Sequence, residues 1–216
     1  VFSMEMPALE IGRRMISGVS GVSYASIKRG LIFTGDAKDS TKLASHMPKL
    51  QSQNLIICDE AGLTPALMRS VLRQVAKRHG GISMAAVDYI QLMDANKALP
   101  NNRNQELTGI SRDIKRMAMD FNIPFLVISQ LTKDVEKMKR RPTNGDLRES
   151  GAIAQDADMI MMVHRQEKYD EDPKQEDIGK AEIIITKNRN GECGIVHCGY
   201  DGPTFTFYDL GGNKSW

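Results

Sequence analysis

Cysteine is scarce in this chain: Cys58, Cys193 and Cys198 are all it has. Such an odd and small set fits a reducing cytosol better than a disulfide framework. His197 stands between Cys193 and Cys198, but that spacing matches no common zinc pattern, so strand packing is their expected role. Charge of one sign is also lacking, since the net charge is only +2. Any surface for nucleic acid would therefore have to be local. No apolar stretch approaches the length of a membrane span, so no membrane is expected among the partners. No internal repeat is present. Also missing is any G-x-x-x-x-G-K-[ST] phosphate loop. Gly30-Leu-Ile-Phe-Thr-Gly35 has the glycine spacing, but Asp36-Ala37 stands where Lys-Ser/Thr is required, and a surface turn is expected there.

What remains is an ordinary globular composition, 41% hydrophobic and 26% charged over 216 residues, enough for one domain with a sizeable core. The chain opens on strand-like Val-Phe-Ser-Met, ending in Glu5. Native chains rarely start inside a core strand, so residues upstream are expected. Pro7 starts a helix carrying Leu9, Ile11, Met15, Ile16 and Val19; shorter helices are predicted over 23–29 and 41–51. Asn54 to Asp59 reads as a short buried run. Thr64-Pro65 supplies an N-cap and a first helical residue for a helix faced by Leu67, Met68, Val71, Leu72 and Val75, and Gly80 ends it. Residues 82–93 form an apolar segment of strand length interrupted by Asp88. Leu107, Ile110, Ile114, Met117 and Phe121 mark another amphipathic helix, stopped by Asn122 and Pro124. Phe125 to Gln130 is the next run read as a buried strand.

Apolar runs alternating with helices predict a parallel α/β sheet. The last third differs: 181–186, 194–200 and 204–208 read as strands with no helix between them, a meander on one edge of the sheet. The acidic stretch around Tyr169-Asp-Glu-Asp-Pro173 is expected to be a mobile loop.

Glu5, Asp88 and Gln130 each end an apolar strand. A carboxylate inside an apolar run needs a partner, because burying it bare is prohibitively costly. For Asp88 alone, a strand-end carboxylate in water competes with one that holds the water shell of Mg²⁺. In an open α/β sheet, ligands bind at the carboxyl ends of the strands. If the three strands are parallel neighbours, the three side chains meet in one crevice suited to hydrolysing a nucleoside triphosphate.

Six stretches in order carry a resemblance: Phe2-Ser-Met-Glu-Met-Pro7, Val87-Asp-Tyr-Ile-Gln-Leu-Met93, Ile128-Ser-Gln-Leu131, Asp146-Leu-Arg-Glu-Ser-Gly151, Gln155-Asp-Ala-Asp158 and Lys187-Asn-Arg-Asn-Gly191. Together the chain resembles the RecA-like ATPase domain of DnaB-type hexameric replicative helicases, from its first residue nearly to its last. The resemblance implies a RecA-like P-loop NTPase core, ATP and Mg²⁺ as cofactors, and a homo-hexameric ring. The ring would move 5′→3′ on single-stranded DNA in a bacterial or phage-encoded cytoplasmic protein, with primase and a helicase loader as further partners. It implies that Glu5 activates the attacking water, Asp88 holds Mg²⁺ through water, and Gln130 links the γ-phosphate to the DNA-facing loops. Arg148, Glu149 and Gly151 match the loop on the DNA backbone. Lys187 and Arg189 match the basic pair reaching the neighbouring subunit's ATP.

The missing phosphate loop is the departure. Residues 1–216 are therefore expected to be a single domain cut at its N-terminus, inactive by itself, without the linker and N-terminal domain that build the ring. Two other readings stand beside the helicase: a DNA- or partner-binding module that does not hydrolyse ATP, and a RecA-like recombinase ATPase. Lys137-Met-Lys-Arg-Arg141 is by default a solvated charge run, with DNA contact as the family reading. Met159, Met161 and Met162 are expected to pack.

Overall fold

Three short parallel strands, β1 (Phe2–Ser3), β2 (Ala85–Asp88) and β3 (Phe125–Val127), make one sheet in that order. The structure is a computed structural model that describes residues 1–30, 37–95, 102–147, 151–170 and 172–211. Most of the glycine-spaced stretch at 30–35 lies outside these residues. Within them the chain forms two compact units. One comprises Val1–Pro7, Ile56–Met161 and Thr186–Cys193, the other Ala8–Leu55, Met162–Ile185 and Gly194–Trp216.

The first unit is built on the parallel sheet. Phe2 lies opposite Val87, and Val87 opposite Val127. The helices α4 (Pro65–His79) and α5 (Arg103–Phe121) begin and end where local chemistry dictates. Thr64 Oγ1 accepts from the Leu67 amide at 3.2 Å, Pro65 is the first helical residue, and Gly80 closes α4 in the left-handed region at φ 77°. Asn122 closes α5 at φ 51°. Met68 and Leu72 of α4 and Leu107, Ile110, Ile114 and Met117 of α5 share one core with Phe2, Ala85, Val87, Ile90 and Met93. Leu67 falls off that face and is exposed.

Three expected strands turn out shorter or more open. Only Ala85–Asp88 of the 82–93 segment is strand. Ile90–Leu92 is a single tight helical turn whose donors find local acceptors, Leu92 N to Tyr89 O (3.0 Å) and Met93 N to Ile90 O (3.1 Å). The 54–59 run contributes one parallel bridge, Cys58 to Phe2, and Leu55 and Ile56 are exposed. A run paired on one side only leaves its other flank to water. β3 is three residues long; Leu126 within it and Ile128 just past its end are exposed.

The second unit holds α1 (Ala8–Ser20), α2 (Tyr24–Arg29) and α3 (Ala37–Gln51). Ser17 and Ser20 are the buried residues of α1; their hydroxyls donate to Val22 O (2.7 Å) and Ile16 O (2.6 Å). The predicted meander is present as β5 (Lys180–Asn188), β6 (Gly194–Asp201) and β7 (Thr206–Asp209), paired antiparallel. With β4 (Met159–His164) beside β5 it forms its own four-stranded sheet, and among the described residues no ladder joins it to β1–β3. β4 alternates strictly, so Ile160, Met162 and His164 are buried while Met159 and Met161 are half exposed, not packed. Cys198 packs beside Ala181, whereas Cys193 is exposed. The acidic loop is anchored where it starts: Tyr169 stacks on His164 at 5.1 Å, and Gln166 Nε2 donates to Asp170 at 3.0 Å.

Between the short helices α6 (Lys133–Lys137) and α7 (Gly151–Asp156), the chain turns around a buried carboxylate. Asp146 accepts two hydrogen bonds from Arg140 (2.6 and 2.7 Å), one from the Thr143 amide (2.8 Å) and one from its hydroxyl (2.9 Å). Arg140, part of the 137–141 charge run, is thus committed to structure. The Arg140 guanidinium, first, and then Thr143 hold the Asp146 carboxyl well below the usual carboxylate range, against the opposing push of burial.

Two predictions test this packing. Leu107→Ala, at a fully buried position, is expected to cost about 2–5 kcal/mol in denaturant unfolding, against at most about 1 kcal/mol for exposed Leu126→Ala. The second concerns pH. Because Asp146 has its pKa lowered by folding, its contribution is complete above the unfolded carboxyl's pKa of about 3.9 and is lost as pH falls toward the folded value. Asp146→Asn should therefore melt below the parent at neutral pH, with the gap narrowing below about pH 4. A gap that does not change with pH excludes the charge as its cause.

Candidate active site

Parallel register brings three of the predicted residues to one edge. Ser3 lies opposite Asp88, and the Met4 amide donates to Asp88 O at 3.0 Å. The buried Ser3 hydroxyl then shapes the turn that carries Glu5, donating to Met6 O (2.8 Å) and accepting from Met6 N (3.2 Å). On the other side of β2 the Ile128 amide donates to Val87 O (2.9 Å), and the Ile90 amide donates back to Ile128 O (3.0 Å). The Asp88–Tyr89 peptide in this turn is cis. Asp88 thus ends the central strand, with Glu5 past the end of one neighbour and Gln130 past the end of the other. Glu5 and Gln130 are exposed and Asp88 is half-buried.

Sequence reasoning overlooked what positions Gln130. The Gln91 amide spans the gap between the two strand ends: Nε2 donates to Ser129 Oγ (2.9 Å) and Gln130 O (3.4 Å), and Oε1 accepts from the Gln130 amide (3.2 Å). Gln91 is itself held through its carbonyl by Arg103, which also donates to Met93 O (3.0 and 2.7 Å). The available signal was an amide set between apolar Ile90 and Leu92. From Gln130 the chain runs directly into an antiparallel bridge, Leu131 to Leu147, with the Thr132 amide donating to Asp146 O at 2.8 Å.

The remaining predicted residues lie elsewhere. Arg148 and Glu149 fall outside the described residues, and Gly151 is the first residue of α7. Lys187 and Arg189 meet the other end of that helix. Lys187 Nζ donates to Ala154 O (2.7 Å) and Gln155 O (3.0 Å). Arg189 Nη2 donates to Gln155 O (2.9 Å) and Nη1 to Asp158 Oδ1 (3.1 Å). Cations suit the unpaired carbonyls of a helix C-terminus. Asp158 also pairs with Lys115 of α5, and this lysine, ahead of Arg189, holds the Asp158 carboxyl below its ordinary range. Arg189 sits on the predicted turn, which Asn188 pins through Glu192 O at 3.2 Å.

As for a metal, no cluster of three or more His, Cys, Asp or Glu side chains suited to hold one occurs among the described residues. What the edge does offer is one half-buried carboxylate, that of Asp88, to which no described residue hydrogen-bonds. A single carboxylate suits Mg²⁺, which keeps several of its own waters.

A family model described as DnaB-like helicase C terminal domain matches residues 1–209. The chain is similar to replicative DNA helicase DnaB of Haemophilus influenzae, 42% identical over 100% of this chain and 46% of that protein. The replicative DNA helicase DnaB of Pasteurella multocida is also 42% identical, over 97% of this chain and 44% of that protein. The chain thus spans about half the length of the curated relatives it matches. Among solved structures, one described as an ATPase domain superposes with a TM-score of 0.88 at 31% identity, covering 97% of this chain and 73% of that one. A DnaB-like replicative helicase solved for its interactions with primase gives 0.89 at 31% identity, over 97% and 49%. The RecA-like α/β fold with its antiparallel C-terminal meander is borne out by these likenesses. With the family model matching nearly its whole length, this chain belongs to the DnaB-like helicase C-terminal domain family.

Proposed function

We propose that this chain is the motor of an ATP-dependent replicative DNA helicase. In this reading a hexameric ring hydrolyses ATP between its subunits, moves 5′→3′ along single-stranded DNA and opens duplex ahead of it. The observation that carries the reading is the carboxyl edge of β1, β2 and β3, where Glu5, Asp88 and Gln130 stand on adjacent parallel strands. That edge is where an open parallel sheet presents a ligand site. Because the family match runs across both compact units, we read them as one motor domain. We place its work in the cytoplasm. Primase, with which one structural neighbour is described as interacting, and a loader are the protein partners we propose.

Each residue has a distinct task. Mg²⁺, when bound with ATP, supplies positive charge at the transferring phosphoryl group. Asp88 would hold that ion through its waters. Glu5, exposed on its serine-shaped turn, takes a proton from the attacking water. Gln130 meets the γ-phosphate with its side chain, while Gln91 holds its backbone. The bridge from Leu131 to Leu147 then carries any displacement of Gln130 toward Arg148, Glu149 and Gly151, which we assign to the DNA backbone. Lys187 and Arg189 serve the ATP of the adjacent subunit. Phosphates ordinarily need a cradle of backbone amides and a lysine. These residues contain no such loop, so turnover is proposed for the full-length protein and not for this stretch alone.

In the full-length protein, Glu5→Gln should keep nucleotide binding and lower kcat by about 10²–10⁴. Asp88→Asn should raise the Mg²⁺ needed for half-maximal turnover. If both variants match the parent, the edge is not the site, and a DNA- or partner-binding module becomes the better reading.

Action of Arg189 across the interface calls for mixed rings. Arg189→Ala alone should lower kcat by about 10³–10⁵ with ATP affinity near normal. Rings that mix Arg189→Ala with Glu5→Gln subunits should regain part of the activity, because some sites then pair an intact Glu5 with an intact neighbouring Arg189. Mixed rings no faster than either parent variant would exclude action across the interface.

A further inference from the structure

We propose that Gln91 is a positioning residue for ATP hydrolysis: its side-chain amide continues the ladder between β2 and β3 past the strand ends and so holds Gln130 in place for the γ-phosphate. This rests on the reading of Gln130 given above and deepens it.

The ladder stops where the chain after Asp88 winds into the tight turn Ile90–Leu92. Its last bond runs from the Ile90 amide to Ile128 O at 3.0 Å. Gln130 lies two residues beyond that rung, and the Gln91 side chain takes the place of a strand neighbour. Its Oε1 accepts from the Gln130 amide at 3.2 Å, and its Nε2 donates to Gln130 O at 3.4 Å and to Ser129 Oγ at 2.9 Å. Chemistry fixes which way round this amide stands. A backbone N–H only donates and a carbonyl only accepts, so the oxygen must meet the one and the nitrogen the other. Glutamate of the same length has no donor when ionised, and methionine offers neither bond.

Gln91 is fixed in turn. Arg103, the first residue of α5, donates through Nη2 to Gln91 O (3.0 Å) and Met93 O (2.7 Å), and through Nη1 to Glu106 one turn further on (2.7 Å). Leu107 and Ile110 seat the start of α5 in the core. The backbone of Gln130 is therefore referred, through Gln91 and Arg103, to a buried helix. Through the same short stretch it is referred to Asp88, three residues before Gln91. The carboxylate assigned to Mg²⁺ and the amide assigned to the γ-phosphate thus keep a set spacing, while the Gln130 side chain stays exposed. Displacing such a group by about 1 Å costs about 10² in rate. ADP has no γ-phosphate, so its binding should not register the loss of Gln91.

The test uses the full-length protein, with steady-state ATP hydrolysis and calorimetric titration of ADP. Gln91→Met keeps the length of the side chain and loses all three bonds; Gln91→Glu keeps the acceptor for the Gln130 amide and loses the two donations. Gln91→Met is expected to lower kcat about tenfold to a hundredfold, and Gln91→Glu to lower it less. The Kd for ADP should stay within about twofold in both. Gln130→Ala should be at least as slow as Gln91→Met. Adding Gln91→Met to Gln130→Ala should change kcat by no more than about twofold, because nothing is then left to position. Independent action would instead multiply the two losses. Assembly is checked by native mass measurement, and either Gln91 variant alone suffices if the other does not assemble. Parent-rate hydrolysis by an assembled Gln91 variant overturns the positioning role. So does a double variant slowed by the product of the two losses, and so does ADP binding that weakens in step with kcat. Parent-rate hydrolysis by Gln130→Ala sinks the reading of Gln130 itself, while a slow Gln130→Ala beside parent-rate Gln91 variants sinks only the positioning.

Discussion

The parallel ladder across β1, β2 and β3 is the constraint on which the rest of the site depends. Three backbone bonds, Met4 N to Asp88 O, Ile128 N to Val87 O and Ile90 N to Ile128 O, hold the strand ends level. Burial protects this alignment. Ala85 and Val87 face the core while Asp88 ends the strand. A slip of one residue would turn Val87 toward the surface and drive Asp88 inward, which a bare carboxylate could not tolerate. The hydrophobic core thus sets the depth at which a charged group stands at the edge. Parallel direction does the rest, because all three strands end on the same side.

Carboxylates in the first unit divide by how they are neutralised. Asp146 is saturated by Arg140 and Thr143 and serves as an anchor for its turn. Asp158 sits between Lys115 and Arg189 and joins α5 to the turn after β5. Asp88 is half-buried and its carboxylate receives no hydrogen bond from any described residue. Chemically these are the same side chain; the cations beside them separate the anchor and the joint from the carboxylate at the strand end. The polar amides follow the same logic. Gln91 spends its whole amide on the backbone of Gln130 and the Ser129 hydroxyl beside it, which leaves the Gln130 side chain outward.

Much of the helical structure was legible because its signals are local. Thr64, Pro65 and Gly80 bracket α4, and Asn122 closes α5, through contacts within a few residues along the chain. The short apolar runs are less buried than their composition suggests. Those at 54–59 and 125–130 have the composition of buried strands, yet Leu55, Ile56, Leu126 and Ile128 are exposed. Composition reports how readily a segment extends, not how many neighbours it will find. The methionines of β4 divide the same way: one faces inward and two outward, because a strand has two faces and only one of them is covered.

By itself the sequence determined the limits of α4, the end of α5, the placement of Glu5, Asp88 and Gln130 at or just past the ends of β1, β2 and β3, and, through six ordered motifs, the family. These depend on residue type and short spacing, which the linear chain states directly. Sequence reasoning missed the first turn of α3, which starts at Ala37 and not at 41, and the short helices α6 and α7. Only the tertiary structure decided that Gln91 holds Gln130, that Arg140 is committed to Asp146, and that Lys187 and Arg189 meet the end of α7. Most of these partners are tens of residues apart, and each contact uses a polar group with several possible acceptors. Which acceptor it reaches depends on where the folded backbone has put them both, and no periodicity in the sequence records that.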